Sequence, residues 1–205
     1  MYSLIKKFFL SLGMSGLGRN EKVFTLGVFA LGLTNMSGIL IVPLAFAQEA
    51  ALVPAAQLSH TKPIQPNVTK PVYVPMNSND YINGGITHSS TRNGADVIVN
   101  QDGTYLIMAA GQVGKTSGNT TCNVDLWLNE NREHIPNSNT RASVNTVNDT
   151  IVLVSQAIMP LKANDTINTI MSVSATGQGC GLLNIAPSGE PNIPAIIFTI
   201  VRIGN

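Results

Sequence analysis

Apolar and polar residues alternate in short runs from about residue 80 to the C-terminus. Val124, Leu126 and Leu128 share one face of a run whose other face carries Asp125 and Trp127, as the period of two in a strand requires. Thr, Val and Ile dominate these runs, and none has a sustained helical period. Turn residues separate the runs, so the pattern predicts an antiparallel sandwich or barrel. Its predicted strands include 96–99, 104–110, 124–128, 151–159, 167–173 and 196–203.

Residues 48–79 follow a different pattern, since prolines recur along them. Each proline removes a backbone donor and fixes φ, which disfavours helices and central strands. We therefore interpret 48–79 as an extended spacer, in which 72–74 alone has the pattern of an edge strand. His60 has no partner pattern around it, so we predict that it is solvated. The prolines are Pro54, Pro63, Pro66, Pro71 and Pro75.

The first 47 residues read as a leader. Residues 23–47 carry no charge, basic residues precede them, and small residues surround a cut between Ala47 and Gln48. This order predicts a signal peptide that is cleaved after Ala47. The alternative is an uncleaved anchor, because 25 uncharged residues can cross a bilayer. Either alternative exports residues 48–205 to the cell surface or the medium.

Composition separates the same two parts. The chain has 205 residues, of which 44% are hydrophobic and 11% are charged. The apolar fraction excludes a wholly disordered chain, and the low charge disfavours a coiled coil. Residues 1–47 carry a formal charge of +3 and residues 48–205 a charge of −2. An exported part that is slightly acidic also argues against nucleic acid as a partner.

Several of these segments resemble the jelly-roll superfamily of complement-subcomponent globular heads and tumour necrosis factor. The segment 97–107 contains a Gly-x-Tyr turn before a strand, 124–129 resembles the next strand, and 195–203 resembles the closing strand. Residues 151–165 are similar to the long strand that ends in Leu-x-x-Gly-Asp, although Asn164 replaces the glycine. Asparagine tolerates a left-handed turn, so we expect the turn to persist. The resemblance implies an all-β, two-sheet antiparallel jelly roll over residues 80–205.

The resemblance also implies a homotrimeric binding head. Both faces of 196–201 are apolar, which fits a strand that is buried on both sides in a trimer. The alternative is a central strand in a monomeric sandwich.

Cys122 and Cys180 are the two cysteines, and both lie in the exported part. An even number outside the cytoplasm favours a disulfide. The family topology, however, would place the two residues at opposite ends of the sandwich, too far apart for a bond. An intrachain bond, a bond between protomers and two free thiols therefore all stay open.

Candidate chemistry is sparse. Glu130, Glu133 and His134 form a cluster, for which we favour a polar hairpin turn over a metal site because no second histidine is near. Residues 111–116 end in Gly-Lys-Thr, but they lack the spacing and the following helix of a phosphate loop. We place His88 in an exposed loop. No motif predicts a cofactor, a metal or a catalytic centre.

Weaker signals occur in the turns. Asp149 and Asp165 are possible calcium ligands, but two acids far apart in sequence are little evidence for a site. Four asparagines precede x-Thr and are either glycosylation acceptors or turn formers, and we favour turns. They are Asn67, Asn119, Asn148 and Asn164.

These observations favour an exported, non-enzymatic module that binds a glycan or protein ligand through its loops. We predict that loops 111–123, 130–149 and 176–194 carry the contacts. A structural trimer that caps or anchors an extracellular assembly is the first alternative. A small secreted hydrolase is the second, although the sequence shows no acid–base or nucleophile pattern.

Overall fold

The structure, a computed structural model, describes residues 52–205, so the leader and its cleavage site at Ala47 and Gln48 lie outside the described residues. Alternating burial along the strands shows why they form: inward positions are apolar and outward positions are mixed. No helix within residues 52–205 is long and apolar enough to cross a membrane. The strands are β1 (Ala55–His60), β2 (Val72–Tyr73), β3 (Ser78–Asn83), β4 (Ile86–His88), β5 (Val97–Val99), β6 (Gly103–Lys115), β7 (Cys122–Glu130), β8 (Glu133–His134), β9 (Thr140–Val144), β10 (Thr150–Leu161), β11 (Thr166–Val173), β12 (Cys180–Leu182) and β13 (Ile196–Gly204).

Two antiparallel sheets enclose the core. The first sheet has the order β10-β6-β13-β1-β3, with β12 also paired to β6. The second has the order β4-β5-β11-β7, with β8 and β9 on the far edge of β7 and β2 beside β11. Consecutive strands cross repeatedly between the sheets, which is the connectivity of a jelly roll. The predicted all-β, two-sheet jelly-roll sandwich is confirmed.

The core lies between the sheets and consists mainly of Ile, Leu and Val. Tyr105 and Phe198 are its two aromatic members, and both are fully buried. Tyr105 keeps its hydroxyl satisfied, because that group donates to the Gln101 carbonyl at 2.8 Å. β13 lies between β6 and β1, which confirms the central position predicted for 196–203.

The spacer prediction for 48–79 is wrong at residues 55–60. These residues form β1, which is a central strand between β13 and β3, and Leu58 is fully buried. The error has a local reason: Pro54 and Pro63 flank the strand without entering it, and Pro54 contributes only its carbonyl, to the Arg202 N–H. The sandwich therefore begins near residue 55 rather than at residue 80. β2 pairs with β11 in the second sheet, where the pattern of residues 72–74 predicted an edge strand.

Cys122 and Cys180 form an intrachain disulfide with a Cα–Cα distance of 6.2 Å. The topological objection fails because β12 does not occupy the expected position: it pairs with the last residues of β6, and Cys180 lies opposite Lys115. The backbone leaves β6 at Lys115 and enters the other sheet at Cys122, so both cysteines lie at one end. The bond thus links the two sheets. We call this end of the sandwich the disulfide end.

Replacing Cys122 and Cys180 together by alanine should lower the free energy of unfolding by about 4 kcal/mol, the chain-entropy value for a loop of this length. Urea denaturation measures the change. Wild-type protein under reducing conditions is the matched control, and it should unfold at the same urea concentration as the double variant. A variant as stable as oxidised wild type would contradict a stabilising role for the bond.

Candidate interaction surface

The outer face of the first sheet is apolar along three neighbouring strands. Strand pairing aligns Ile158, Leu106 and Val201 in one row across β10, β6 and β13. A second row aligns Val154, Ala110 and Ile197. Between them runs a row of Gln156, Met108, Thr199, Gln57 and Tyr81, and none of the three rows carries a charge. We call these rows the apolar face.

The apolar face exposes large hydrophobic side chains of β10, whereas its members on β6 are half-buried. Ile158 has an exposed fraction of 66%, and Val154 in the second row has 38%. The outer edge of β10 pairs with no other strand among residues 52–205, so its backbone groups add to the accessible surface. A long apolar edge strand beside an exposed apolar patch is a surface suited to association.

The outer face of the second sheet is polar by comparison. Arg141 forms two hydrogen bonds to Asp125, at 2.8 and 2.9 Å. Arg132 pairs with Asp96 at 3.1 Å and lies 4.9 Å from the ring centroid of Tyr73. The two faces therefore differ in character, and only the first combines exposure with the absence of charge.

The loops at the disulfide end are held by a buried cation. Lys115 is fully buried, and its Nζ donates to the Thr120 carbonyl at 2.7 Å and to the Asn145 carbonyl at 3.4 Å. One side chain thus links the loops 116–121 and 145–149. Residues 111–115 belong to β6, so the Gly-Lys-Thr segment is strand followed by a turn and not a phosphate loop.

The opposite end is built from hydrogen-bonded turns, and we call it the turn end. Asn164 has φ of 77°, which confirms that it replaces glycine in the predicted left-handed turn. Asp165 accepts from the Lys162 N–H at 2.6 Å and from Asn131 Nδ2 at 2.8 Å. Asp102 accepts from the Ala163 N–H at 2.9 Å, so the turns after β5, β7 and β10 join one network.

Glu130 and Asp165 are two carboxyl groups of this network that affect each other's pKa. Burial raises the pKa of Glu130, and the neighbouring Asp165 raises it further. Burial also acts to raise the pKa of Asp165, but the hydrogen bonds from Asn131 and the Lys162 N–H outweigh it and hold that pKa below its ordinary value.

The remaining predicted residues do not assemble a chemical site. Glu130, Glu133 and His134 lie at the β7–β8 hairpin, whose two turn residues have positive φ, so the polar hairpin is confirmed. His134 accepts at Nδ1 from the Trp127 indole N–H at 3.0 Å. Within residues 52–205 no three metal-ligating side chains come together.

Asp149 and Asp165 lie on either side of the twelve-residue strand β10, at its opposite ends, so they do not form a joint calcium site. Each belongs to its own turn: the Asp149 N–H donates to the Thr146 carbonyl, and Asp165 anchors the turn end.

His88 and His60 are placed differently from the prediction. His88 lies on β4 and is 9% exposed. Its Nε2 hydrogen-bonds to the Gly94 carbonyl at 3.0 Å, and its Nδ1 hydrogen-bonds to Asn79 at 2.6 Å. His60 is half-buried at the end of β1, and burial lowers its pKa. Both histidines are parts of the sandwich that the sequence pattern did not identify, although the hydrogen-bond partners of His88 lie only six and nine residues away.

The surface cavities of residues 52–205 include one at the turn end and one beside β10. One of about 450 Å³ lies at the turn end, and Arg202 is its charged lining side chain. The other, of about 310 Å³, lies beside the start of β10 and contains Asp149. Neither cavity brings two titratable side chains together, as acid–base catalysis requires.

Comparison with known proteins gives a structural likeness and no sequence relative. No protein-family model matches this sequence. No curated protein matches it either. Among solved structures, the protein is similar to a crystal structure of murine APRIL at pH 5.0, with 13% identity and a TM-score of 0.46. That match covers 74% of this chain and all of the other. The jelly-roll assignment rests on the strand order of the two sheets.

Replacing Glu130 by Gln should raise the melting temperature at neutral pH. A carboxyl whose pKa is higher in the folded than in the unfolded protein stabilises the fold below its unfolded pKa, and this contribution is lost as pH rises through the folded pKa. The amide of glutamine cannot ionise, so the variant does not lose this stability at neutral pH. The difference in melting temperature between variant and wild type should therefore shrink in acid. Thermal unfolding at neutral and acidic pH measures it. Glu190→Gln in an exposed loop is the control, and an equal gain at both pH values would refute the explanation.

Replacing Lys115 by Met should destabilise the disulfide end, because the Thr120 and Asn145 carbonyls lose the donor that links their two loops. We expect a loss of about 1–3 kcal/mol of unfolding free energy. Lys162→Met is the matched control, since Lys162 pairs with Asp102 in an exposed position and should change little. Denaturant unfolding measures the loss of unfolding free energy in both variants. Equal losses would show that the hydrogen bonds of Lys115 contribute no more to stability than the exposed ion pair of Lys162.

Proposed function

We propose that this protein is an exported, non-enzymatic binding module that acts as a homotrimer on a glycan or protein ligand. The observation that carries the proposal is the apolar face: it is exposed and free of charge, and it borders the unpaired edge of β10. Burial of such a face against other copies removes apolar area from water and covers the free edge. Three copies, rather than two, is the state that the family resemblance implies.

The loops of the disulfide end are the proposed ligand-binding region. The disulfide and the buried Lys115 fix the bases of these loops, so a ligand meets a preorganised surface. Leu52 and Asn205 both lie at the turn end, so these loops are at the end of the sandwich opposite to both. The proposed contact loops are 116–121, 145–149 and 174–179, since 130–134 belongs to the turn end and 111–115 to β6.

Replacing Ile158 by Lys tests the trimer. Light scattering of residues 48–205, which contain every strand of the described sandwich, should give the mass of three protomers for wild type. I158K places a charge in the apolar face and should give folded monomers with an unchanged circular dichroism spectrum, because the side chain is outside the core.

Val68→Lys is the matched control, since Val68 is also an exposed apolar residue but lies outside the apolar face. It should leave the trimer intact. Monomeric wild-type protein would refute the trimer, and a trimeric I158K variant would refute the surface assigned to it.

A structural trimer that caps an extracellular assembly is the alternative, favoured by the same apolar face. Glycan arrays and whole-cell binding with the wild-type trimer distinguish the two roles. Binding that is lost when loops 116–121 are altered supports a ligand-binding module, whereas no binding in either assay supports the structural role.

A further inference from the structure

Two asparagine–glycine pairs, Asn83–Gly84 and Asn93–Gly94, occupy different environments. Asn93 lies in the exposed segment between β4 and β5, with φ of 48°. Its side chain hydrogen-bonds to no other residue among 52–205, and the Gly94 N–H donates to none of them. We propose that Asn93 is a site of spontaneous deamidation, through which the folded protein acquires an additional negative charge.

The reaction uses only groups of this turn and water. The Gly94 amide nitrogen attacks Cγ of Asn93, a new N–C bond forms, and the bond between Cγ and Nδ2 of Asn93 breaks. Ammonia leaves with the proton from the Gly94 nitrogen, and a cyclic succinimide remains. Water then opens either carbonyl of the ring, giving aspartate or isoaspartate. Glycine favours the attack because it has no Cβ beside the nucleophilic nitrogen.

Asn83 is an internal control for the same dipeptide. It belongs to β3, where it pairs with Ala55, so its backbone is held extended in the first sheet. Its Nδ2 donates to the Val53 carbonyl at 3.4 Å, and its Oδ1 is buried. Ring closure at Asn83 would require these contacts and the strand pairing to break, whereas Asn93 needs only local motion of a loop.

Isoaspartate at position 93 would also disturb the fold around it. The Gly94 carbonyl accepts from the Met76 N–H at 2.6 Å and from His88 Nε2 at 3.0 Å. The next carbonyl, of Ala95, accepts from buried Asn168 at 2.7 Å. Isoaspartate adds a methylene to the backbone, which shifts both carbonyls away from donors that come from three separate segments. The modified protein should therefore unfold at a lower temperature.

Incubation of the purified protein in mildly alkaline buffer, followed by peptide mass spectrometry, tests the proposal. Cleavage after aromatic residues releases residues 82–105 as one peptide that contains both pairs, and deamidation does not change its ends. We expect conversion of amide to acid at Asn93, as a mixture of aspartate and isoaspartate, with Asn83 unchanged. In urea both asparagines should react, because the fold no longer protects Asn83.

An unmodified Asn93 in the folded protein would overturn the proposal, as would modification of Asn83 at an equal rate. Asn93→Gly, which removes the amide and tolerates the positive φ of this turn, should keep its own starting melting temperature throughout the incubation. A decline in that variant equal to the wild-type decline would show that the modification does not destabilise the fold.

Discussion

Antiparallel pairing along β6 is the constraint on which the rest of the structure depends. β6 pairs with β10 along twelve positions, from Gly103 with Leu161 to Gly114 with Thr150. Its other edge pairs with β13 and then with β12. Because side chains alternate across a strand, this register also decides which residues enter the core. Ile107 and Ala109 face inward and are fully buried, while Leu106, Met108 and Ala110 lie on the apolar face.

The two ends of the sandwich are stabilised by different means. At the disulfide end, a covalent bond and a buried ammonium group hold loops that have little regular structure of their own. At the turn end, backbone N–H groups donate to carboxylates, and left-handed asparagines reverse the backbone direction. The first arrangement fixes loops without filling them with apolar residues, so their outer surfaces stay polar and available. This difference is the physical basis for placing the proposed ligand at the disulfide end.

Much of the sandwich could be predicted from the sequence, and the errors have common causes. The strand around Val124 and the left-handed turn at Asn164 follow from patterns that span only a few residues. The errors at β1 and Cys180 concern segments whose partners are distant in the sequence, whereas the partners of His88 lie only six and nine residues away. The recurring prolines led to the wrong prediction of a spacer at β1, because prolines at the boundaries of a strand do not interrupt its pairing. The cysteine pair was undecided because its geometry depended on a short strand, β12, that has no clear signal.

The sequence by itself determined the period-two alternation, the turn positions and the low charge, since these are local properties of neighbouring side chains and backbone angles. They suffice to specify an all-β sandwich. Only the tertiary structure decided that Ala55–His60 is central, that Cys122 meets Cys180, and that Lys115 is buried against backbone carbonyls. These features depend on which edges of β6 and β13 remain available after the long strands have paired. Such competition among distant partners is a property of the whole polypeptide, and no local pattern encodes it.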